Sequence, residues 1–121
     1  MIDPVELIQK RTFARLNVEE FGYPIYGDPP KDAPLPYAAI DVSVKGRDGV
    51  LEVHVWSEYR GEKEALEILN AAFPLLHRRR LVSEQGVTAM AIHQETEVQI
   101  EENGSVRHGR AIYKLLVRQR R

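Results

Sequence analysis

The chain has 121 residues, of which 43% are hydrophobic and 29% are charged, and 17 basic against 18 acidic side chains leave a formal net charge of −1. This length and composition predict one globular domain over residues 1–121, and the absence of cysteine excludes disulfide scaffolds and cysteine-rich zinc modules. The near-neutral charge argues against a surface devoted to nucleic acid, and no stretch is apolar enough to predict a secretory or membrane-spanning segment.

The first half of the chain predicts a helix, an arm and two strands. An aspartate–proline pair followed by apolar residues at helical spacing predicts a helix over residues 3–17. The proline density of residues 22–36 excludes a helix or a central strand and predicts an ordered arm lying on the body. Alternation of apolar and polar residues then predicts strands over residues 37–45 and 49–57.

The second half predicts another helix followed by a long hairpin. Helical spacing resumes over residues 61–77, with a kink or break expected at Pro74 and a basic C-terminal turn at Arg78, Arg79 and Arg80. The buried stripe of this helix is expected to contain Ala65, Leu69, Ala72, Phe73 and Leu76. Residues 86–101 and 106–119 are predicted strands.

The Asn103-Gly104 pair between these strands is typical of a two-residue type I′ turn, which fixes a register. It places Glu97 opposite Arg110, so that opposite charges meet near the tip. Further down the hairpin, the expected pairs are His93 with Lys114, Ile92 with Leu115, and Met90 with Val117. The predicted fold is α+β, with an antiparallel sheet of about four strands, two main helices on one face, and a projecting hairpin or arm.

No pattern in the sequence indicates catalysis. No serine lies in a nucleophile elbow, no glycines form a phosphate-binding loop, and the four histidines fall on different predicted elements. We therefore expect no enzymatic activity, no cofactor and no metal. Trp56, Tyr59 and Arg60 are residue types enriched at interface anchors, although a lone tryptophan in a small domain is more often found in the core or at its edge.

Three segments, in order, carry a family resemblance. They are the Pro24–Asp28 stretch with Leu35-Pro36-Tyr37, the stretch H-V-W-S-E-Y-R-G-E-K-E-A from His54 to Ala65, and Arg107-His108-Gly109. Together they resemble the tail-completion family of long-tailed double-stranded DNA bacteriophages, also called tail-terminator or head-to-tail joining proteins. The resemblance spans about Leu7 to Val117 and its family-motif residues are Pro36, Tyr37, Trp56, Tyr59, Arg60, Gly61, His108 and Gly109.

The resemblance implies a non-enzymatic virion protein at the tail-neck junction, assembled in the bacterial host cytoplasm. Such a protein forms a homo-oligomeric ring, usually of six subunits, that ends tail-tube polymerisation, docks to the head connector and lets DNA pass through its lumen. Similar proteins occur in prophages and gene transfer agents. The candidate oligomer or partner interface consists of Tyr26, Tyr37, Tyr59, Arg60, Glu97, Glu101, Glu102, Arg107 and Arg110. Two alternatives remain open: another phage neck protein, for head completion or as a stopper, and a small-ligand binding module.

Overall fold

A computed structural model of the protein describes residues 3–58, 62–101 and 104–120. Helix α1 (Pro4–Leu16) begins where the Asp3 carboxylate accepts a hydrogen bond of 2.9 Å from the Val5 backbone N–H. Helix α2 (Lys63–Leu76) lies later in the chain. Neither described helix is long and apolar enough to cross a membrane.

The strands form one sheet. In chain order they are β1 (Ile25–Tyr26), β2 (Tyr37–Lys45), β3 (Asp48–Ser57), β4 (Arg79–Glu84), β5 (Val87–Ile100) and β6 (Arg107–Gln119). Their spatial order is β1-β2-β3-β6-β5-β4, and every neighbouring pair is antiparallel except β1 and β2, which are parallel. The α+β class is confirmed, whereas the expected number of about four strands is too low, because the described residues form six.

The two additional strands are short edge strands in segments with other expected roles. β1 lies within the proline-rich arm and pairs only with Ala38 and Ala39 of β2. β4 contains Arg79 and Arg80, which were expected to follow helix α2 as its C-terminal turn. Instead, Arg79 pairs with Ala91 of β5, and Arg80 pairs with Met90. Tertiary pairing with β5 therefore outweighs the preference of cations for a helix C-terminus, which is worth only about 0.3 to 1 kcal/mol each.

Helix α2 differs from its prediction in two details. It continues past Pro74 to Leu76, so the expected break is absent, whereas the alternative of a kink stays a prediction. Phe73 was expected in the buried stripe, but it is 39% exposed and stacks on His77, with ring centroids 4.6 Å apart. Ile68 takes the buried place instead.

The core lies between the two helices and one face of the sheet. A single cluster contains the buried residues of both helices and alternate residues of the long strands, such as Leu51, Val53 and Val55 on β3. Helix α1 contacts β2 near one edge and β4 at the other, where Arg11 forms a 2.6 Å ion pair with Glu84. The six-stranded sheet therefore curls around the helices as a half-barrel, and we call its opposite face the outer face.

The long hairpin confirms one half of the predicted register and corrects the other. Glu97 lies opposite Arg110, as expected, and Glu101 N–H bonds Val106 C=O at 2.8 Å near the turn, while Asn103 lies outside the described residues. A β-bulge between His93 and Glu95 then shifts the pairing by one residue. His93 pairs with Tyr113, Ile92 with Lys114 and Met90 with Leu116, so these three predicted pairs are wrong. The extra residue keeps His93 and Thr96 on the core side together.

Candidate functional site

The outer face carries a continuous group of rings that runs across four strands. Successive residues of a strand point to opposite faces, and strand register places β1, β2, β3 and β6 side chains at one level. We call this group the aromatic row; it consists of Tyr26, Tyr37, Trp56, His54 and His108. Its members come from segments up to 82 positions apart in the chain, which accounts for their separation in the sequence.

The rings of the aromatic row contact one another directly. Tyr37 stacks on Trp56 with ring centroids 5.1 Å apart, and Trp56 stacks on His108 at 4.7 Å with an interplanar angle of 5°. Tyr26 meets Tyr37 edge to face at 5.6 Å. Aromatic pairs in such geometries contribute about 0.5 to 1.5 kcal/mol beyond the area they bury, so these contacts help to hold the row together.

Two histidines hydrogen-bond each other within the aromatic row. His54 Nδ1 lies 2.8 Å from His108 Nε2, so one of the two nitrogens must donate and the other accept. The pKa of His54 lies below its ordinary value, first because burial penalises the charged imidazolium and second because of nearby His108. Asp41 and Glu52 oppose this shift. The pair therefore favours a state in which His54 is neutral.

Carboxylates flank the row on the side of the hairpin. Arg110 donates to Glu97 at 2.7 Å and to Glu52 at 3.3 Å, and so links β6 to the strands on both sides. The Glu101 carboxylate lies 3.6 Å from His108 Nδ1. Carboxylates at this end of the face would repel phosphate, so the arrangement suits contact with a protein better than contact with nucleic acid.

The structure brings together half of the residues that the sequence singled out. Tyr26, Tyr37, Trp56, His108 and Glu101 meet in or beside the aromatic row, and Glu97 and Arg110 adjoin it. Pro36 directly precedes Tyr37, where it enters β2. The remaining predicted residues Tyr59, Arg60, Gly61 and Glu102 lie outside the described residues.

Two predicted residues lie away from the row. Arg107 donates to the Gly104 carbonyl at 3.2 Å and so holds the hairpin turn. Gly109 faces the core, where a Cβ atom would lie 2.9 Å from Leu69 Cδ1 of α2. The three residues of the Arg-His-Gly motif therefore have different positions: Arg107 holds the turn, His108 lies on the outer face, and Gly109 packs against α2.

Sequence reasoning missed two contributors to the site. His54 and Glu52 precede Trp56 by two and four residues, and the period of two in a strand places all three on the outer face. That period was the signal that could have found them. Trp56 itself is half-buried on the outer face, so it is not a core residue.

The structure offers little that could hold a metal. Within residues 3–58, 62–101 and 104–120, no three histidine, aspartate or glutamate side chains lie close enough together to ligate one ion.

A cavity of about 230 Å³ beside α2 is lined by Phe73, His93 and Tyr113. The Tyr113 hydroxyl is buried, and no other described residue hydrogen-bonds it; burial raises the pKa of this phenol.

Comparison with known proteins shows a structural likeness to a virion protein. No protein-family model matches the chain, and no curated protein matches it significantly. A chain from the virion of a native gene transfer agent particle has a similar structure, with a TM-score of 0.72 and 18% sequence identity. The similarity covers 91% of this chain and 93% of that chain. The two chains therefore share a fold over nearly their whole lengths.

Proposed function

We propose that this chain is a structural protein of a phage-like particle and acts there as the tail terminator. In this role, a ring of copies caps the tail tube, ends its polymerisation and forms the docking surface for the head connector. DNA passes through the lumen without sequence-specific contact, and no step is enzymatic. The proposal rests foremost on the likeness to a gene transfer agent virion chain, which extends over 91% of the residues.

The aromatic row supports the same role. Its members come from three segments that resemble the tail-completion family, and they assemble on a sheet face that neither helix covers. Rigid aromatic side chains with polar edges are enriched where proteins contact one another. The row is thus suited to binding a neighbouring particle protein, either the tail tube or the head connector.

The mass of the protein in solution tests the ring. Six copies of the 13.9 kDa chain give a particle of about 83 kDa, and closure is the natural end of a contact between two different surfaces. We expect light scattering and negative-stain microscopy to show such rings, either free or seated on the ends of tubes formed from the particle's tail-tube protein. A monomer that ignores tube ends would contradict the proposal.

The length of growing tubes separates a terminator from other neck proteins. Tail-tube protein polymerised with this chain should give shorter tubes, each with a cap at one end. Trp56→Ala should weaken capping, whereas Val50→Ala, on the outer face but distant from the row along β3, should not. Unchanged tube lengths together with binding to head-connector rings would favour the stopper alternative instead.

A further inference from the structure

The sheet has an open stretch of backbone on each of its two sides. On one side, β1 pairs with β2 only at Ala38 and Ala39, so residues 40–45 have no neighbouring strand in the described part of the chain. On the other side, β4 pairs with β5 only as far as Ala91, which leaves residues 95–100 similarly uncovered. In each of these six-residue stretches, alternate residues direct their backbone N–H and C=O groups away from the sheet, so three residues per stretch are available for pairing.

The topology fixes how these two stretches could meet in a ring. β2 is antiparallel to β3, β3 to β6 and β6 to β5, so β2 and β5 run in opposite directions within one copy. Rotation about an axis roughly along the strands keeps those directions. The β2 edge of one copy would therefore meet the β5 edge of the next copy as an antiparallel pair, which is a contact between two different surfaces.

The side chains favour one register. Core-side residues must meet core-side residues, which restricts the pairing to steps of two. With Lys45 opposite Glu95, the two open stretches overlap along their full length and opposite charges meet on the outer face. The same register brings together three core-side pairs: Ile40 with Ile100, Val42 with Val98, and Val44 with Thr96. Sliding by two residues places Asp41 opposite Glu97 in one direction. In the other direction it places Asp41 opposite Glu101 and shortens the overlap, and both of these contacts are repulsive.

A groove beside the β2 edge is placed to receive the most exposed of these apolar side chains. Ile100 is 64% exposed, the highest value among the large hydrophobic residues that the structure exposes. A groove of about 520 Å³ lies between α1 and the β1–β2 edge, and Phe13 and Ile40 line it. Because the register puts Ile100 opposite Ile40, the exposed side chain would enter this groove and leave water.

We propose that residues 40–45 of one copy pair with residues 95–100 of the next, so that the sheets join edge to edge around the ring. This inference rests on the proposed function for the existence of a ring and adds which surfaces form it. The second copy fits better than an unrelated strand because this chain itself supplies both edges, the exposed isoleucine and its groove.

Disulfide trapping tests the register, because the chain has no cysteine of its own. Lys45→Cys/Glu95→Cys should give, on mild oxidation of assembled protein, a ladder of linked copies that ends at the ring size and collapses on reduction. Ser43→Cys/Glu95→Cys is the matched control, because its two side chains lie on the same face but diagonally across the strand pair. Their Cβ atoms would be roughly 7 to 8 Å apart, compared with 4.5 to 5.5 Å for directly opposite residues. This pair should therefore cross-link several-fold less.

Two non-covalent variants provide an independent test. Lys45→Glu should weaken self-association by roughly tenfold, and Lys45→Glu/Glu95→Lys should restore it. Ile100→Ser should also weaken association, whereas Leu116→Ser, which removes an exposed large hydrophobic side chain from the outer face, should not. Unchanged urea midpoints in these exposed-site variants would show that folding is intact.

The outcomes separate this inference from the function on which it rests. Wild-type rings that form while Lys45→Cys/Glu95→Cys gives no ladder, or while Lys45→Glu assembles normally, would overturn the edge pairing and leave the terminator role standing. Wild-type protein that neither self-associates nor caps tubes would overturn both.

Discussion

At the scale of single residues, the outer face depends on a few polar groups that have definite partners. The His54–His108 hydrogen bond and the two carboxylates on Arg110 hold side chains from β3, β5 and β6 in one arrangement. Each contact is partly exposed, so each contributes modestly to stability. Their larger effect is to fix the shape of the surface around Trp56.

The His54 imidazole should make stability depend on pH in a defined direction. Because its folded pKa is lowered from 6.5, chiefly by burial, it remains neutral in the folded chain at a pH where the unfolded chain already binds a proton. Its contribution is therefore complete above about pH 6.5 and is lost as the pH falls below that value. Urea unfolding followed from about pH 8 to about pH 5.5 measures this loss. His54→Gln should reduce the slope, and an unchanged slope would contradict the assignment.

Arg110 should matter more than either of its partners. Arg110→Ala leaves Glu97 and Glu52 without their shared cation, and we expect a loss of about 0.5 to 1.5 kcal/mol in the free energy of unfolding. Glu97→Gln should cost less, and Glu95→Ala, an exposed neighbour, should be close to neutral. The charge swap Glu97→Arg/Arg110→Glu restores the ion pair between positions 97 and 110 but places a glutamate beside Glu52. It should therefore recover only part of the stability that Arg110→Ala loses. Chemical unfolding of the four variants checks this order.

At the scale of elements, the contact between α2 and β6 depends on Gly109. A Cβ atom there would lie 2.9 Å from Leu69 Cδ1 and 3.4 Å from Ala65 Cβ, so Gly109→Ala should destabilise by about 1 to 3 kcal/mol. Gly109→Ala should cost less stability in a Leu69→Ala background, where the clashing side chain has been removed. A double-mutant cycle of these two substitutions measures the coupling. Gly27→Ala is the matched control, since nothing lies within 4 Å of its added Cβ. Equal losses at both glycines would exclude close packing as the cause.

How much could be predicted also differs between elements. The long strands and both helices follow from apolar periodicity, because each buries one face against a common core. β4 did not show as a strand in the sequence, because its two core residues, Leu81 and Val82, are adjacent at a bulge and so break the period of two. The bulge near Gln94 could not be predicted either. A turn fixes the register of a hairpin only up to the first bulge, where one strand carries an extra residue.

The candidate site was predictable in part for a related reason. Individual motif residues were visible in the sequence, but their convergence depends on the strand order, which places β3 between β2 and β6. Once that order is known, the period of two adds His54 and Glu52 to the outer face. The open edges were not predictable at all, because they depend on how short β1 and β4 are relative to the strands they cover.

At the scale of the whole molecule, one core joins both helices to the sheet, and α1 reaches from β2 to β4. We therefore expect a single cooperative unfolding transition, consistent with the prediction of one domain. Trp56 is the sole tryptophan and lies on the outer face, whereas the far-ultraviolet circular dichroism signal reports the helices and strands. The two signals should give coincident urea midpoints at a concentration where the chain is monomeric. An earlier loss of tryptophan signal would instead indicate that the aromatic row unfolds separately.

The separation of the two sheet faces also has an evolutionary consequence. Each long strand carries core positions and outer positions in alternation, so the requirements of folding fall on only half of the residues of a segment. Outer-face residues can then be substituted while the backbone path is retained. The same architecture is therefore compatible with very different sequences, as a shared fold at 18% identity illustrates.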